Sequence, residues 1–180
     1  MKHLLLKSLL LVLVSMNASA QVWTNLQNLE ANFKIKNAGI TVDGKFTDVS
    51  ATVSVDEKNF ANSTFTGVIK TNSVNTDNNL RDRHLREKSE FFNVTKFPTI
   101  SMKAVKVGSA QVGGSYKVDW IITMKGISKK VTTEVLVNRN GNSLYILTVF
   151  QINRRDWGVG DKGILMSDTV VVSISGNLLR

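Results

Sequence analysis

The sequence contains no cysteine, one proline (Pro98) and two histidines. Without cysteine there is no disulfide, no thiolate nucleophile and no lipid-modified cysteine after a leader. His3 falls in the leader, so a Ser-His-Asp triad would have to use His84, and no G-x-S-x-G elbow accompanies it. Metal sites need about three ligands, and neither an H-x-x-x-H pair nor paired acids supplies them. The residues after Asp43 do not follow a calcium loop, and Gly158-Val159-Gly160 lacks the Lys-Ser/Thr of a phosphate loop. Asp156 and Asp161 read as solvated loop acids. These shortages argue against an enzyme and imply neither metal nor cofactor.

Long apolar runs are also scarce. One opens the chain: Lys2 and Lys7, then Ser8 to Met16, then Ala18-Ser19-Ala20. A basic start, a short apolar core and an A-x-A ending describe a secretory signal peptide over residues 1–20, leaving one domain over 21–180. The run is too short to span a bilayer, and no later stretch reaches about 18 apolar residues. The expected product is a soluble periplasmic protein, with secretion beyond the periplasm left open, and as a monomer or homodimer. Losing Lys2 and Lys7 lowers the formal charge from +9 to +7. The basic residues are scattered, as on a solvated barrel exterior, though they could also meet an anionic membrane surface. Nucleic acid is not implied, since no basic stripe interleaves with aromatics.

What the chain does have is alternation. Phe33, Ile35 and Asn37 share one face of a strand, as do Val49, Ala51, Val53 and Val55. The same holds for Phe65, Gly67 and Ile69, for Ile100, Met102 and Ala104, and for Val118, Trp120, Ile122 and Met124. Further strands run over Val131 to Val137, Leu144 to Asn153 and Thr169 to Leu178. Asp43-Gly44 and Asn140-Gly141 read as two-residue hairpin turns, with further turns at Gly113-Gly114 and Lys125 to Lys130. Phe46, out of phase with Val49, suggests a bulge at Thr47-Asp48. Gln21 to Asn32 reads either as a short helix or as chain tucked on the sheet. The strand of Leu144 to Asn153 is apolar on both faces, as when it is covered twice or lines an apolar cavity. About eight antiparallel strands with short connections predict an all-β sandwich or closed barrel.

One stretch breaks the alternation. Asn78 to Pro98 carries a charged run, Arg81 to Lys88, then Phe91-Phe92 and Phe97. Leu80, His84 and Leu85 fall on one helical face, and Asp82 with Arg86 is spaced for a helix ion pair. A short helix closing one end of the barrel follows, with the chain leaving extended at Pro98. Phe33, Ile35, Phe65, Phe91, Phe92, Phe97, Met102, Trp120, Ile122, Met124, Ile146, Phe150 and Trp157 are the expected lining of an elongated pocket for a hydrophobic small molecule. Arg81, Asp82 and His84 are expected to tie the helix to Arg155 and Asp156 in the late loop. The competing reading is a filled barrel that acts through its basic exterior as a structural or interaction protein.

FKIKNAG (Phe33–Gly39), VNTDNNLRDRHLREKSEFFNVTKFPTISMKA (Val74–Ala104), MKGISKKV (Met124–Val131) and INRRDWGVG (Ile152–Gly160) together resemble the YceI-like periplasmic proteins. The resemblance implies an extended, lipocalin-like antiparallel barrel with a helix at its mouth. It also implies a non-enzymatic binder of a polyisoprenoid, isoprenoid quinone or fatty amide, serving transport, storage or protection in the envelope. Arg81, Asp82, His84 and Leu85 match the family's helix motif, Phe91, Phe92, Phe97 and Pro98 its aromatic run, and Arg155, Asp156, Trp157 and Gly158 its late loop, with Arg154 as the alternative motif arginine. The chain departs from the pattern at Asn37, where the family usually has His, and at Asp77, where it usually has Gly.

Overall fold

The computed structural model describes residues 22–111, 114–161, 163 and 165–179. The proposed signal peptide and Gly113 lie outside them.

The strands are β1 (Val22–Trp23), β2 (Asn25–Asn37), β3 (Ile40–Phe46), β4 (Val49–Asp56), β5 (Thr64–Lys70), β6 (Val74–Asn75), β7 (Thr99–Ala110), β8 (Ser115–Met124), β9 (Ile127–Asn140), β10 (Ser143–Asn153) and β11 (Met166–Leu179). They form one antiparallel sheet in the order β1-β4-β5-β7-β8-β9-β10-β11-β2-β3-β6. The sheet curls into a lipocalin-like barrel with one short α-helix, α1 (Asn79–Glu87). The predicted architecture therefore holds. The strand count exceeds eight partly because β1 and β6 are two-residue pairings at the sheet edges.

Three local expectations are corrected. Asp43-Gly44 is not a turn; it lies inside β3, with Asp43 opposite Lys34 and Gly44 opposite Phe33. The hairpin turns at Ala38-Gly39 instead, where both residues have positive φ (50° and 79°) and Asn37 faces Ile40. At Thr47-Asp48 the chain makes a full corner between two strands rather than a bulge. The segment before Asn32 is strand, not helix, because it pairs with β11. Its irregularity is Asn28, at φ 51° beside a register shift opposite Ser175 to Asn177.

Two further turns fall at their signals with narrower bounds: of the expected Lys125 to Lys130 turn, Ile127 to Lys130 already pairs with β8. Lys125-Gly126 joins β8 to β9 with φ of 49° and 76°. Gly141, at φ 56°, begins the turn into β10, one residue later than the Asn-Gly reading.

The lower barrel is solid. Trp23, Val55, Val118, Leu144 and Leu178 are each no more than 1% exposed, and Phe60 stacks on Tyr116 with ring centres 3.6 Å apart. This plug closes the end where β9 turns into β10. The opposite end holds α1, the 125–126 turn and the loop after β10.

Candidate functional site: an apolar cavity closed by a helix

Helix α1 begins where Asn78 accepts a hydrogen bond from the Arg81 N–H (3.0 Å), an N-cap that satisfies a backbone donor left over at the helix start. It ends at Lys88, whose N–H bonds the His84 carbonyl (3.1 Å). The loop after it folds back onto the helix: the Phe92 N–H reaches the Leu85 carbonyl (3.0 Å) and that of Val94 reaches Arg86 (2.9 Å). Leu80, Arg81, His84 and Leu85 thereby face a single cavity of about 590 Å³. That volume falls in the range of small-molecule pockets, roughly 300–1,000 Å³. Leu80 is also 56% exposed, so the cavity opens beside the helix.

Eleven of the thirteen side chains expected to line a pocket do so: Phe33, Ile35, Phe65, Phe91, Phe92, Met102, Trp120, Ile122, Met124, Ile146 and Phe150. Period-two alternation brings the nine strand residues together, since each strand sends every second residue inward, while Phe91 and Phe92 come from the loop folded back on α1. Two do not. Phe97 lies in the loop two residues before β7 with the Lys96 ammonium 5.3 Å from its ring centre, and its carbonyl accepts from the Thr71 hydroxyl (2.8 Å). Trp157 is 2% exposed and donates to the Ile122 carbonyl (3.2 Å), so it holds the late loop to β8 rather than facing the cavity.

Sequence reading missed other parts of the wall. Leu26 and Leu29 both line it because the irregularity at Asn28 shifts their phase. Val170, Val172 and Ile174 of β11, Phe46 of β3 and Val135 of β9 complete it. The alternation along β11 carried that signal; the phase of Leu26 and Leu29 left none.

The expected tie between helix and late loop is not formed; each cluster bonds within its own neighbourhood. Asp82 is 5% exposed and accepts from both the N–H (2.9 Å) and the hydroxyl of Thr76. Arg81 donates to the Thr76 hydroxyl (2.7 Å) and carbonyl (2.6 Å). Asp82 and Arg86 form no ion pair among the described residues; Arg86 donates to the Val74 carbonyl (3.3 Å). In the late loop the organising residue is Arg154, 3% exposed. Its guanidinium donates to the carbonyls of Ser167 (2.9 Å), Val159 (2.6 Å) and Asp161 (3.1 Å) and pairs with Asp168 (2.9 Å). Burial pushes its pKa below the usual arginine value while Asp168 opposes the shift. Arg155 and Asp156 are exposed, and the Arg155 guanidinium reaches Asp168 alone among the described residues (3.4 Å).

Lys125 supplies the link between helix loop and late loop that the sequence assigned elsewhere. Its ammonium donates to the carbonyls of Ser89 and Gly158, both at 2.8 Å. Burial lowers its pKa, with Glu90 and Asp161 acting against that. Asp77, at the family's usual glycine, adopts φ 55° and donates its N–H to the Asn75 side-chain oxygen (2.8 Å). Asn37, at the usual histidine, lines the cavity. No group of three or more metal-ligating side chains occurs among the described residues, and none of their helices is long and apolar enough to cross a membrane.

An antiparallel barrel curled around an apolar cavity, with one helix across its open end, defines a lipocalin-like barrel protein. The YceI-like domain model matches residues 23–178, and the chain belongs to that family. It is 38% identical over 117 residues to a UPF0312 protein of Yersinia pestis (strain Pestoides F), a match covering 64% of this chain and 59% of that protein. The fold is similar to that of Burkholderia cenocepacia BcnA, at a TM-score of 0.78 and 21% identity over 83% of this chain and 95% of the other. A polyisoprenoid binding domain from Saccharophagus degradans, implicated in plant cell wall breakdown, aligns at a TM-score of 0.67 and 16% identity over 88% and 98% of the two chains.

Proposed function

We propose that the protein is a non-catalytic carrier that holds one long-chain amphiphile, an isoprenoid quinone, other polyisoprenoid or fatty amide, for transport, storage or protection in the cell envelope. One observation carries the reading: the upper barrel is not filled by its own side chains but surrounds about 590 Å³ walled by Phe, Ile, Val, Leu and Met. Transfer of a tail into such a space gives roughly 0.8 kcal/mol per buried CH₂, so a long chain gains affinity without many polar contacts. The polyisoprenoid-binding fold relative supports that ligand class. The filled-barrel alternative is disfavoured by the same space. A periplasmic location follows from reading residues 1–20 as a signal peptide.

Extraction of the purified protein into organic solvent, followed by mass spectrometry, tests the proposal. A long-chain lipid in roughly molar proportion to protein is expected. Its absence, both as purified and after incubation with an isoprenoid quinone and a fatty amide, overturns it.

A further inference from the structure

Deep in the apolar wall sits a short polar chain. The Trp120 indole N–H donates to the Thr133 hydroxyl (2.9 Å), and the hydroxyls of Thr133 and Thr148 are 3.0 Å apart. Both threonines are nearly buried, at 5% and 6% exposure. Thr148 lines the cavity, while Thr133 stands behind it. Neighbours on either side of Thr148, Val135 across β9 and Ile174 across β11, are apolar and also line the cavity.

Counting protons shows what is left over. The cluster has three donors: the indole N–H and two O–H groups. The indole proton goes to Thr133, and one hydroxyl proton makes the bond between the threonines. As the chain stands, Thr148 donates to Thr133 and the spare O–H is that of Thr133; an acceptor in the cavity reverses this bond, so that Thr133 donates to Thr148 and the Thr148 O–H turns to the ligand, with no other acceptor for the spare proton among the described residues. An O–H in an apolar, water-poor space gains from any acceptor brought to it and costs free energy without one.

The position matters as much as the chemistry. Trp120 lies four strand residues below Met124, which places the cluster roughly 13 Å down from the helix end. The solid plug of Trp23, Phe60, Val118 and Leu144 begins beyond it. The pair thus sits deep in the cavity, one inward position short of Ile146 at its closed end and far from the opening beside Leu80.

Resting on the carrier reading above, we propose that Thr148, backed by Thr133 and Trp120, is a hydrogen-bonding subsite for an acceptor oxygen at the leading end of the ligand. The ligand enters with an oxygenated head, such as a quinone carbonyl or a phenol oxygen, seated against Thr148 near the closed end. Its apolar tail runs back toward α1. A wholly hydrocarbon chain of equal length leaves the hydroxyl unsatisfied and binds more weakly.

Two probes test this: a farnesylated benzoquinone and the hydrocarbon of matching chain length, titrated against tryptophan fluorescence. The wild type is expected to favour the quinone by roughly three- to tenfold, the worth of one net hydrogen bond. Thr148→Val, which keeps the shape and removes the hydroxyl, should abolish that preference. Equal wild-type affinity for the two probes, or a preference that survives Thr148→Val, overturns the subsite while leaving the carrier reading intact. Failure of both probes to bind overturns the carrier reading and the subsite with it. If the variant does not fold, the quinone carbonyl stretch in the wild-type complex decides: a shift to lower frequency supports the bond, and an unshifted band refutes it.

Discussion

Gly44 lies directly beneath the ring of Phe33. The two residues face each other across β2 and β3, and a Cβ built on Gly44 would come within 2.2 Å of the Phe33 Cζ. The missing side chain is what lets that ring lie flat along the wall, 5.7 Å from Phe46, which in turn stands 5.7 Å from Phe92. The aromatic ladder from barrel to helix loop therefore rests on a glycine. Gly44→Ala forces the ring off its rotamer, and overpacking of this kind typically costs about 1–3 kcal/mol. Urea denaturation should show that loss; an unchanged midpoint would mean the ring moves freely and the ladder is not rigid.

Asp82 anchors the helix from behind. Its carboxylate takes two hydrogen bonds from Thr76 in a nearly dry setting. Asp82→Ala leaves the Thr76 N–H without that acceptor and should destabilise by about 2 kcal/mol. Amide exchange across Asn79–Glu87 should accelerate with it, while β8 and β9 stay protected. Uniform loss of protection would instead make the helix part of the main cooperative unit.

The cavity itself can be filled without touching the plug. Ala51 lines it from β4, opposite Gly67. Ala51→Trp should keep the β-sheet circular dichroism spectrum and thermal transition while lowering lipid affinity at least tenfold, because the indole takes the volume the tail would use. Undiminished binding would place the ligand elsewhere.

A carboxylate on the outer face predicts a pH response. Asp119 lies within 2.8 Å of the Lys130 ammonium and 2.7 Å of the Thr132 hydroxyl, and those bonds hold its pKa below the ordinary 3.8. The unfolded chain then binds the proton more readily than the folded one. Stability is fully present above pH 3.8 and falls as pH drops through the lower folded value. Asp119→Asn should flatten that part of the acid limb by removing, above pH 3.8, the small stabilisation the ionised group supplies there. An identical acid limb in the variant would show that other carboxylates dominate.

Much of this architecture can be read from the residues because a barrel wall repeats one rule. Phe65, Met102, Trp120, Met124 and Phe150 were placed correctly by alternation alone. The rule fails where something other than alternation sets the phase. Asp43-Gly44 has the composition of a turn, yet the glycine is there to clear Phe33. Leu26 and Leu29 look out of step until Asn28 takes a positive φ. Trp157 and Phe97 belong to loops that have no period, and hydrogen bonding to Ile122 and Thr71 decides where they go. The polar residues were hardest to place. Opposite charges at Asp82 and Arg155 suggested a pair, but Thr76 lies six residues before Asp82 and satisfies it locally. A lysine in a two-residue turn makes the bridge instead.

The most direct measurement is native mass spectrometry of the protein recovered from the cell envelope that produces it. The account predicts a species heavier than the bare chain by the mass of one long-chain amphiphile, released on collisional heating and restored by adding an isoprenoid quinone. A spectrum showing only the bare chain, before and after exposure to quinone and fatty amide, would contradict it.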